Sequence, residues 1–322
     1  MKNYKYAIGI GVNLFDARAI LLREDGEVIR RVEKPRKDVN ANRTIAIFSE
    51  LFTEILDQSK EYQSYICGVG LALGGVVDKK EGVVYWPQRE DTHYVYISIP
   101  LKSYLEEKFK LPIVLENDAN AAAYAEYLLN VTHYKNLIYM FSGVGCGIII
   151  NGELYRGSRG MAGELFVNPY HSTSCSLGDF SFFTQWPADL KVPQRAKELI
   201  SLGKESSLIK KITPTGELSL EDIFEEAGKK DEVSIKILRE AGFSLGVKLA
   251  ILINLLNPEV VIIGGEFERA GDFFLEEVRR AIKCFSFSEI VRELKILFSN
   301  LGREASSLGV GYLVFKENPL QR

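Results

Sequence analysis

The chain has 322 residues, of which 46% are hydrophobic and 26% charged, and its formal net charge is −3. This length exceeds what one hydrophobic core usually supports, so the sequence predicts two domains. Because lysine and arginine are spread along a slightly acidic chain, we expect no direct binding of nucleic acid by this chain.

The cysteines and the N-terminal residues exclude further classes. The four cysteines lie far apart and include no CxxC pair, so their spacing predicts neither a disulfide framework nor a zinc cluster. The N-terminal run MKNYKYAIGIGV is short and soon followed by polar residues, unlike a signal peptide or a membrane span. We therefore expect a cytoplasmic protein that does not associate with membranes.

The first half of the chain begins with antiparallel strands and continues as alternating strands and helices. Apolar residues at helix spacing predict the first helix, and a continuous apolar run before Gly74 predicts a buried strand. In chain order, the predicted elements are strands at 6–12, 17–22 and 27–33, a helix at 43–57, a strand at 66–73, a helix at 101–109 and a strand at 112–116.

The second half repeats this order after a fresh set of short strands. The predicted elements are strands at 136–141, 147–151 and 153–155, a loop-rich region at 156–187, helices near 190–202, 219–228 and 231–255, a strand at 259–263, a helix at 270–283, a strand at 294–298 and a helix at 303–315. Two α/β halves that each begin with hairpins indicate a duplicated fold, although two unrelated α/β domains would give a similar pattern.

The segment ENDANAAA (116–123) places a carboxylate where a predicted strand meets a predicted helix. Asp118 lies at the carboxyl end of the strand, where ligands collect in α/β folds. A carboxylate there can accept the proton of a substrate hydroxyl, and the neighbouring Asn117 can offer both a donor and an acceptor. The alternative is a purely structural role, in which Asp118 only caps the helix.

Six stretches, taken together, resemble the ROK family (repressors, open reading frames and kinases). They are LALGGVVDKKEGVVYWPQ (71–88), ENDANAAAYAE (116–126), SGVGCGIIINGELYRGSRGMAGE (142–164), FEEAGKKDEVSIKIL (224–238), LINLLNPEVVIIGGEF (252–267) and LGREASSLGVGYL (301–313). The resemblance implies an α/β, two-domain actin-like ATPase (ribonuclease H-like) sugar-kinase fold with an interdomain cleft. The implied domains are 1–116 plus 304–322 and 117–303.

The resemblance also implies a site. The catalytic base would be Asp118, and the sugar would be bound by Gly74, Gly75, Asn117, Asp118 and Glu164. The nucleotide would be bound by Ser142, Gly143, Gly145, Gly147, Gly264 and Gly265. The residues alone leave alternatives open. The glycines of 142–147 could belong to a plain hairpin turn, and Gly264 and Gly265 could belong to a close-packed turn between a strand and a helix.

The chain departs from the family pattern in the first hairpin. Family kinases have an Asp-x-Gly-Gly-Thr turn there, which admits the γ-phosphate and helps to hold Mg²⁺. This chain has Gly11 for the Asp and Asn13-Leu14-Phe15 for Gly-Gly-Thr. Asp16 lies nearby, on the wrong side of the turn, and is not expected to substitute.

The family's zinc-binding segment is also altered. Its His and two of its cysteines are replaced by Val167, Leu177 and Phe182, Thr184 stands for its glutamate, and of the cysteines only Cys175 remains. Since no tetrahedral set of ligands is left, we expect no zinc and no other metal site in this segment. The apolar residues of 179–186 are compatible with a homodimer, which family members commonly form.

Two functions follow from these expectations. The first is a glucokinase-like sugar kinase that phosphorylates a hexose or an N-acetylhexosamine, with ATP and Mg²⁺ if it is catalytically active. The second is a catalytically inactive sugar-binding regulator, or pseudokinase, without its own DNA-binding domain. Family repressors often lose the first phosphate turn, and this chain shows the same loss.

Overall fold

The computed structural model describes all residues except 1–3, 13–15, 36–40, 91–92, 142–144, 166–187 and 319–322. By packing, the chain forms two compact units. The first unit comprises residues 1–141, 146–164 and 300–322, and the second comprises 142–145 and 165–299. The predicted domains, 1–116 plus 304–322 and 117–303, remain a proposal.

The structure contains the predicted strands and helices, with boundaries shifted by a few residues, together with further elements. The strands are β1 (Tyr6–Val12), β2 (Asp16–Arg23), β3 (Val28–Pro35), β4 (Ile66–Leu73), β5 (Val76–Asp78), β6 (Val83–Glu90), β7 (His93–Ile99), β8 (Ile113–Asn117), β9 (Leu137–Phe141), β10 (Gly145–Ile150), β11 (Glu153–Leu154), β12 (Val260–Gly264) and β13 (Lys295–Phe298). The helices are α1 (Ala41–Asp57), α2 (Leu101–Phe109), α3 (Asp118–Leu129), α4 (Ala188–Ser201), α5 (Leu220–Gly228), α6 (Glu232–Leu256), α7 (Asp272–Phe285), α8 (Ser288–Val291) and α9 (Ala305–Glu317).

A five-stranded sheet in the order β3-β2-β1-β4-β8 forms the centre of the first unit. Its first three strands are antiparallel, and β4 pairs in parallel with both β1 and β8. The predicted helix α1 buries Phe48, Leu51 and Ile55 in one core with Ile8 and Ile10 of β1. Burying each such apolar side chain stabilises the fold by roughly 1.5–3 kcal/mol. The apolar residues of α1 recur at helix spacing, so they determine which face of the helix packs against the sheet.

Strands β5, β6 and β7 form a three-stranded antiparallel sheet that we did not predict from the sequence. Its last strand carries exposed apolar residues, among them Tyr96 and Ile97. A strand whose residues face solvent lacks the alternation of apolar and polar residues that marks a half-buried strand, so periodicity did not reveal it.

Helices α3 and α9 pack against each other at very short range within the first unit. A Cβ atom on Gly309 of α9 would lie 1.7 Å from the carbonyl oxygen of Ala121 in α3. Only a residue without a side chain allows this approach. This contact therefore fixes α3, which begins at Asp118, relative to the rest of the first unit.

The second unit contains β12 and β13, which pair in parallel, and the helices α4 to α8. Along the residues that the structure describes, no helix combines the length and the apolar character needed to cross a bilayer.

Candidate functional site

At the junction between β8 and α3, the structure shows which residue caps the helix, whereas the sequence left open whether Asp118 serves in capping or in catalysis. The side-chain oxygen of Asn117 accepts hydrogen bonds from the backbone N–H groups of Ala119, at 2.9 Å, and Asn120, at 3.2 Å. Asn117 is therefore the N-cap of α3. Asp118 is the first helical residue, so the N-cap role belongs to Asn117 and not to Asp118.

Asp118 lies at the positive end of the helix dipole and beside a glycine turn. Its Oδ1 accepts a hydrogen bond from the N–H of Ala119 at 2.9 Å. Its Oδ2 lies on the side of Gly74, where an added Cβ would be 3.5 Å away. The next residue, Gly75, has a φ of +104°, which residues with side chains rarely adopt. The backbone thus bends sharply beside the carboxylate.

Asn117 connects this turn to Glu164. Its side-chain nitrogen lies 3.3 Å from the carbonyl oxygen of Gly75, to which it donates, and 3.4 Å from Oε1 of Glu164. The structure therefore brings together all five residues that the sequence predicted for the sugar side. They are Gly74, Gly75, Asn117, Asp118 and Glu164.

Glu164 has an unusual acidity. Burial of its carboxyl group, and then the negative charge of Asp118, raises the pKa of Glu164 to about 7, although the residue as a whole is exposed to solvent. The neutral form is favoured because the charged form would lose hydration and repel a neighbouring carboxylate. Near neutral pH this group can therefore either donate or accept a hydrogen bond.

Directly behind the site, the fully buried Glu116 forms a network that we did not predict. Its Oε2 accepts hydrogen bonds from Lys79, at 3.0 Å, and Arg156, at 2.7 Å. Burial alone would raise the pKa of Glu116, but these two cations hold it below the usual carboxyl range. Its Oε1 accepts from the backbone N–H of Asn117 and from the side chain of Asn120. Glu116 therefore fixes the residues on either side of Asp118.

The same cations anchor the segment that leads to Glu164. Lys79 and Arg156 both also pair with Glu317 near the end of α9, at 2.6 and 3.2 Å. The backbone N–H of Lys79 donates to the carbonyl of Arg159 at 3.0 Å, and Arg159 pairs with the buried Asp78. Residues 156–159 are thus tied to the strand ends beside Asp118.

The residues predicted for the nucleotide side are described only in part. Ser142 and Gly143 lie outside the described residues, Gly145 begins β10, and Gly264 ends β12 with Gly265 following at a φ of +66°. Their predicted contacts with a nucleotide remain predictions.

Gly147 has a structural reason to be glycine. A Cβ there would lie 2.3 Å from the carbonyl oxygen of Ala119 and 2.4 Å from the Cβ of Ala123. The close packing of β10 against α3 therefore requires glycine at this position, whether or not a phosphate binds beside it.

The first hairpin leaves no space for the acidic residue of family kinases. A Cβ on Gly11 would lie 2.8 Å from Oγ of Ser306 and 2.9 Å from the backbone nitrogen of Ser307. Asp16 is buried, and its Oδ2 pairs with Arg18 at 3.0 Å and with Arg303 at 3.3 Å. The turn Asn13-Leu14-Phe15 itself lies outside the described residues.

The predictions for the zinc segment also fall outside the described residues, as does the apolar stretch 179–186. The residues concerned are Val167, Cys175, Leu177, Phe182 and Thr184. Within the described ranges, no group of three or more His, Cys, Asp or Glu side chains is arranged to hold a metal ion.

The fold defines the class of protein. The structure matches that of a ROK family glucokinase from Streptomyces griseus in complex with glucose and AMPPNP, with a TM-score of 0.75 at 24% identity, over 96% of this chain and 98% of that one. The predicted actin-like ATPase sugar-kinase fold is therefore confirmed.

The family follows from the sequence comparisons. The model of the ROK family matches residues 5–317, so the chain belongs to the ROK family. It is 29% identical to a glucokinase of Halalkalibacterium halodurans over 99% of this chain and 98% of the relative. It is also 26% identical to a xylose repressor of Bacillus spizizenii, over 98% of this chain and 78% of the repressor. Kinases and repressors thus both stand among its relatives.

Proposed function

We propose that Asn117, Asp118 and Glu164 bind a hexose or an N-acetylhexosamine, and that the protein phosphorylates this sugar with ATP. The observation that carries the proposal is that Asn117 and Asp118 lie against the turn at Gly74 and Gly75 and that Glu164 lies 3.4 Å from Asn117. Several polar groups that converge at one point are what a site needs in order to select a sugar. Similarity to a glucokinase over 98% of that protein's length supports the kinase activity.

In the proposed reaction, Asp118 orients one sugar hydroxyl and accepts its proton as the oxygen attacks the γ-phosphate of ATP. Asn117 and Glu164 hold neighbouring hydroxyls, the amide as donor and the carboxyl in either role. Glu116 keeps Asn117 and Asn120 in place, so Asp118 stays fixed at the first position of α3. ATP is the second substrate and supplies the phosphoryl group.

The described residues of the first hairpin offer a poor site for Mg²⁺. Gly11 has neither a side chain nor space for one, and the carboxylate of Asp16 already pairs with two arginines. The described part of the first hairpin therefore offers no suitable carboxylate to a metal ion, and no step is assigned to one.

The first hairpin favours a second candidate, a sugar-binding regulator that does not turn over ATP. Such a protein would use the same groups to hold the sugar, without any need for a phosphate turn at 11–15. Similarity to a xylose repressor over 98% of this chain supports it. ATP, Mg²⁺ and the homodimer are thus proposals for the kinase, whereas sugar binding is common to both candidates.

Turnover of ATP with a panel of hexoses and N-acetylhexosamines tests the proposal, with Asp118→Asn as the matched variant. ADP release is measured together with sugar binding by calorimetry. We expect ADP release with at least one sugar, a decrease of about 10²–10⁴-fold in Asp118→Asn, and sugar affinity retained within a few fold because the amide keeps the shape of the carboxylate.

The outcomes separate the two candidates. Sugar binding by the wild-type protein without ADP release from any sugar identifies the regulator. Unchanged turnover in Asp118→Asn would remove Asp118 from the mechanism.

A further inference from the structure

The second unit contains a groove whose side chains carry only positive charge. Arg279 and Lys283 come from α7, Arg292 follows α8, and Lys295 begins β13. Together with apolar residues they line a concavity of about 580 Å³. This volume lies within the range of about 300–1,000 Å³ that is typical of small-molecule sites.

The four cations lack the partners that neighbouring cations have. No Asp or Glu lines the groove, and among the described residues none of the four pairs with a carboxylate within 4.0 Å. By contrast, the adjacent Arg280 pairs with Glu277 at 2.6 Å. Since the whole chain is slightly acidic, this concentration of unpaired positive charge does not follow from composition.

Structural roles explain the presence of only two of the four cations that line the groove. Arg279 donates a hydrogen bond to the backbone carbonyl of Ile296 at 3.1 Å, which fixes its guanidinium at the wall of the groove. Lys283 lies in the last turn of α7, where a cation is favourable to the helix dipole. Neither role explains Arg292 and Lys295. The four side chains are exposed, so solvent screens their mutual repulsion, and an anion between them would remove what repulsion remains.

The lining also indicates which kind of anion fits. Val291, Leu294 and the exposed Leu297 supply apolar surface beside the cations. Guanidinium groups bind phosphate oxygens in a bidentate manner, and lysine adds a point charge. A phosphate group next to a small apolar moiety satisfies both parts of the lining, whereas a fully hydrated inorganic ion satisfies only one.

We propose that this groove binds a soluble organic phosphate, with its phosphate among the four cations and its apolar part on Val291, Leu294 and Leu297. All of the lining residues belong to the second unit, while Asp118 and Glu164 belong to the first. The proposal therefore does not depend on sugar binding or phosphoryl transfer.

Calorimetric titration of the full chain with phenyl phosphate tests the proposal, with inorganic phosphate and phenol as matched probes. The test variant is Lys283→Gln/Lys295→Gln, and Asp118→Asn is titrated in parallel. The control variant, Lys60→Gln/Lys210→Gln, removes two exposed lysines outside the groove, so it changes the net charge equally. All four lysine side chains are exposed, so the two lysine variants are expected to fold.

We expect phenyl phosphate to bind more tightly than inorganic phosphate, and phenol not to bind. The groove variant should lose about tenfold or more in affinity, as expected for lost charge-assisted hydrogen bonds, whereas the control variant and Asp118→Asn should bind like the wild type. Wild-type affinity should also decrease with added salt.

Three results would overturn the proposal. They are no binding of phenyl phosphate by the wild type, equal affinity in the groove variant, or equal loss in the two lysine variants. Binding of vesicles that contain phosphatidylglycerol, without binding of phenyl phosphate, would instead assign the groove to a lipid surface.

Discussion

Asp118 and Glu164 place two carboxyl groups beside one turn, and their protonation determines what the site can hold. Glu164, with a pKa of about 7, changes its charge in the range where the protein works, whereas a carboxyl group in water would be ionised throughout. The burial that causes this shift follows from the fold around residues 156–164. It could not be predicted from the sequence MAGE alone.

The shifted pKa of Glu164 predicts how stability depends on pH. Its value in the folded state lies above that of an unfolded glutamate, so the neutral form stabilises the folded state at low pH, and this contribution is lost as the pH rises through about 7. Replacement by an uncharged isostere removes the penalty of the charged form. Glu164→Gln should therefore stabilise the protein more at pH 8 than at pH 5, by on the order of 1 kcal/mol after allowance for solvent screening.

Urea unfolding of both proteins at the two pH values measures this difference. A free-energy difference between variant and wild type that is the same at pH 5 and pH 8 would contradict the assignment of a raised pKa to Glu164.

At the scale of elements, the end of β8, the segment 156–159 and the end of α9 are held together by charges around the buried Glu116. Removing one partner from a buried ion network leaves the others uncompensated. We expect Glu116→Gln to lower the free energy of unfolding by about 2–3 kcal/mol at pH 7. Because the pKa of Glu116 is depressed, this difference should shrink as the pH falls below about 4.

The matched control is Glu153→Gln, which breaks the exposed pair between Glu153 and Lys316 at 2.7 Å. An exposed pair contributes less than about 1 kcal/mol. Denaturant unfolding at pH 7 compares the two variants, and similar losses would show that the network around Glu116 is no stronger than a surface pair.

The crossing of α3 and α9 gives a second prediction at this scale. Gly309→Ala would push a methyl group into the carbonyl of Ala121, so we expect a loss of about 3 kcal/mol in unfolding free energy. Gly311→Ala, two residues further along α9, first meets the buried Leu22 side chain at 3.1 Å, which must shift by a few tenths of an ångström. The higher helix propensity of alanine, about 1 kcal/mol, offsets this cost, so the variant should be nearly neutral. Thermal unfolding distinguishes them, and equal melting temperatures would contradict the close crossing.

The sequence predicted those elements that have a clear apolar period. Helix α1 and strands β1, β2 and β4 bury the faces that their spacing indicated. The sheet of β5, β6 and β7 was missed although Val77, Val84 and Trp86 are buried in the core, because β6 begins with four consecutive apolar or aromatic residues and shows no alternation with polar ones. The helix boundary at Asp118 was predicted well, since a run of alanines follows a strand there.

The candidate site was predictable only where its residues are contiguous or belong to a family motif. Asn117 and Asp118 are adjacent, and the resemblance added Gly74, Gly75 and Glu164. The network behind them joins Lys79 to Glu116, 37 positions away, and to Glu317, 238 positions away. The pattern of a single sequence does not show which residues so far apart are in contact, so these partners could be identified only from the structure.

At the scale of the whole molecule, one fold and one family contain kinases and repressors alike, so the fold does not choose between them. Two parts of the first unit bear on whether the protein is a kinase or a regulator. The side chains around Asp118 favour a bound sugar, whereas the occupied space at Gly11 and the pairing of Asp16 weaken the case for a metal-bound phosphate. We therefore propose sugar binding for both candidate functions, and phosphoryl transfer for the kinase alone.

Calorimetric titration of the hexose and N-acetylhexosamine panel into wild-type protein and Asp118→Ala tests this claim most directly. We predict that at least one sugar binds the wild type and that truncation of Asp118 weakens its binding about tenfold or more, because a charge-assisted hydrogen bond to a hydroxyl is lost. Binding of no sugar by the wild type, or equal affinity in the two proteins, would contradict a sugar site at Asp118.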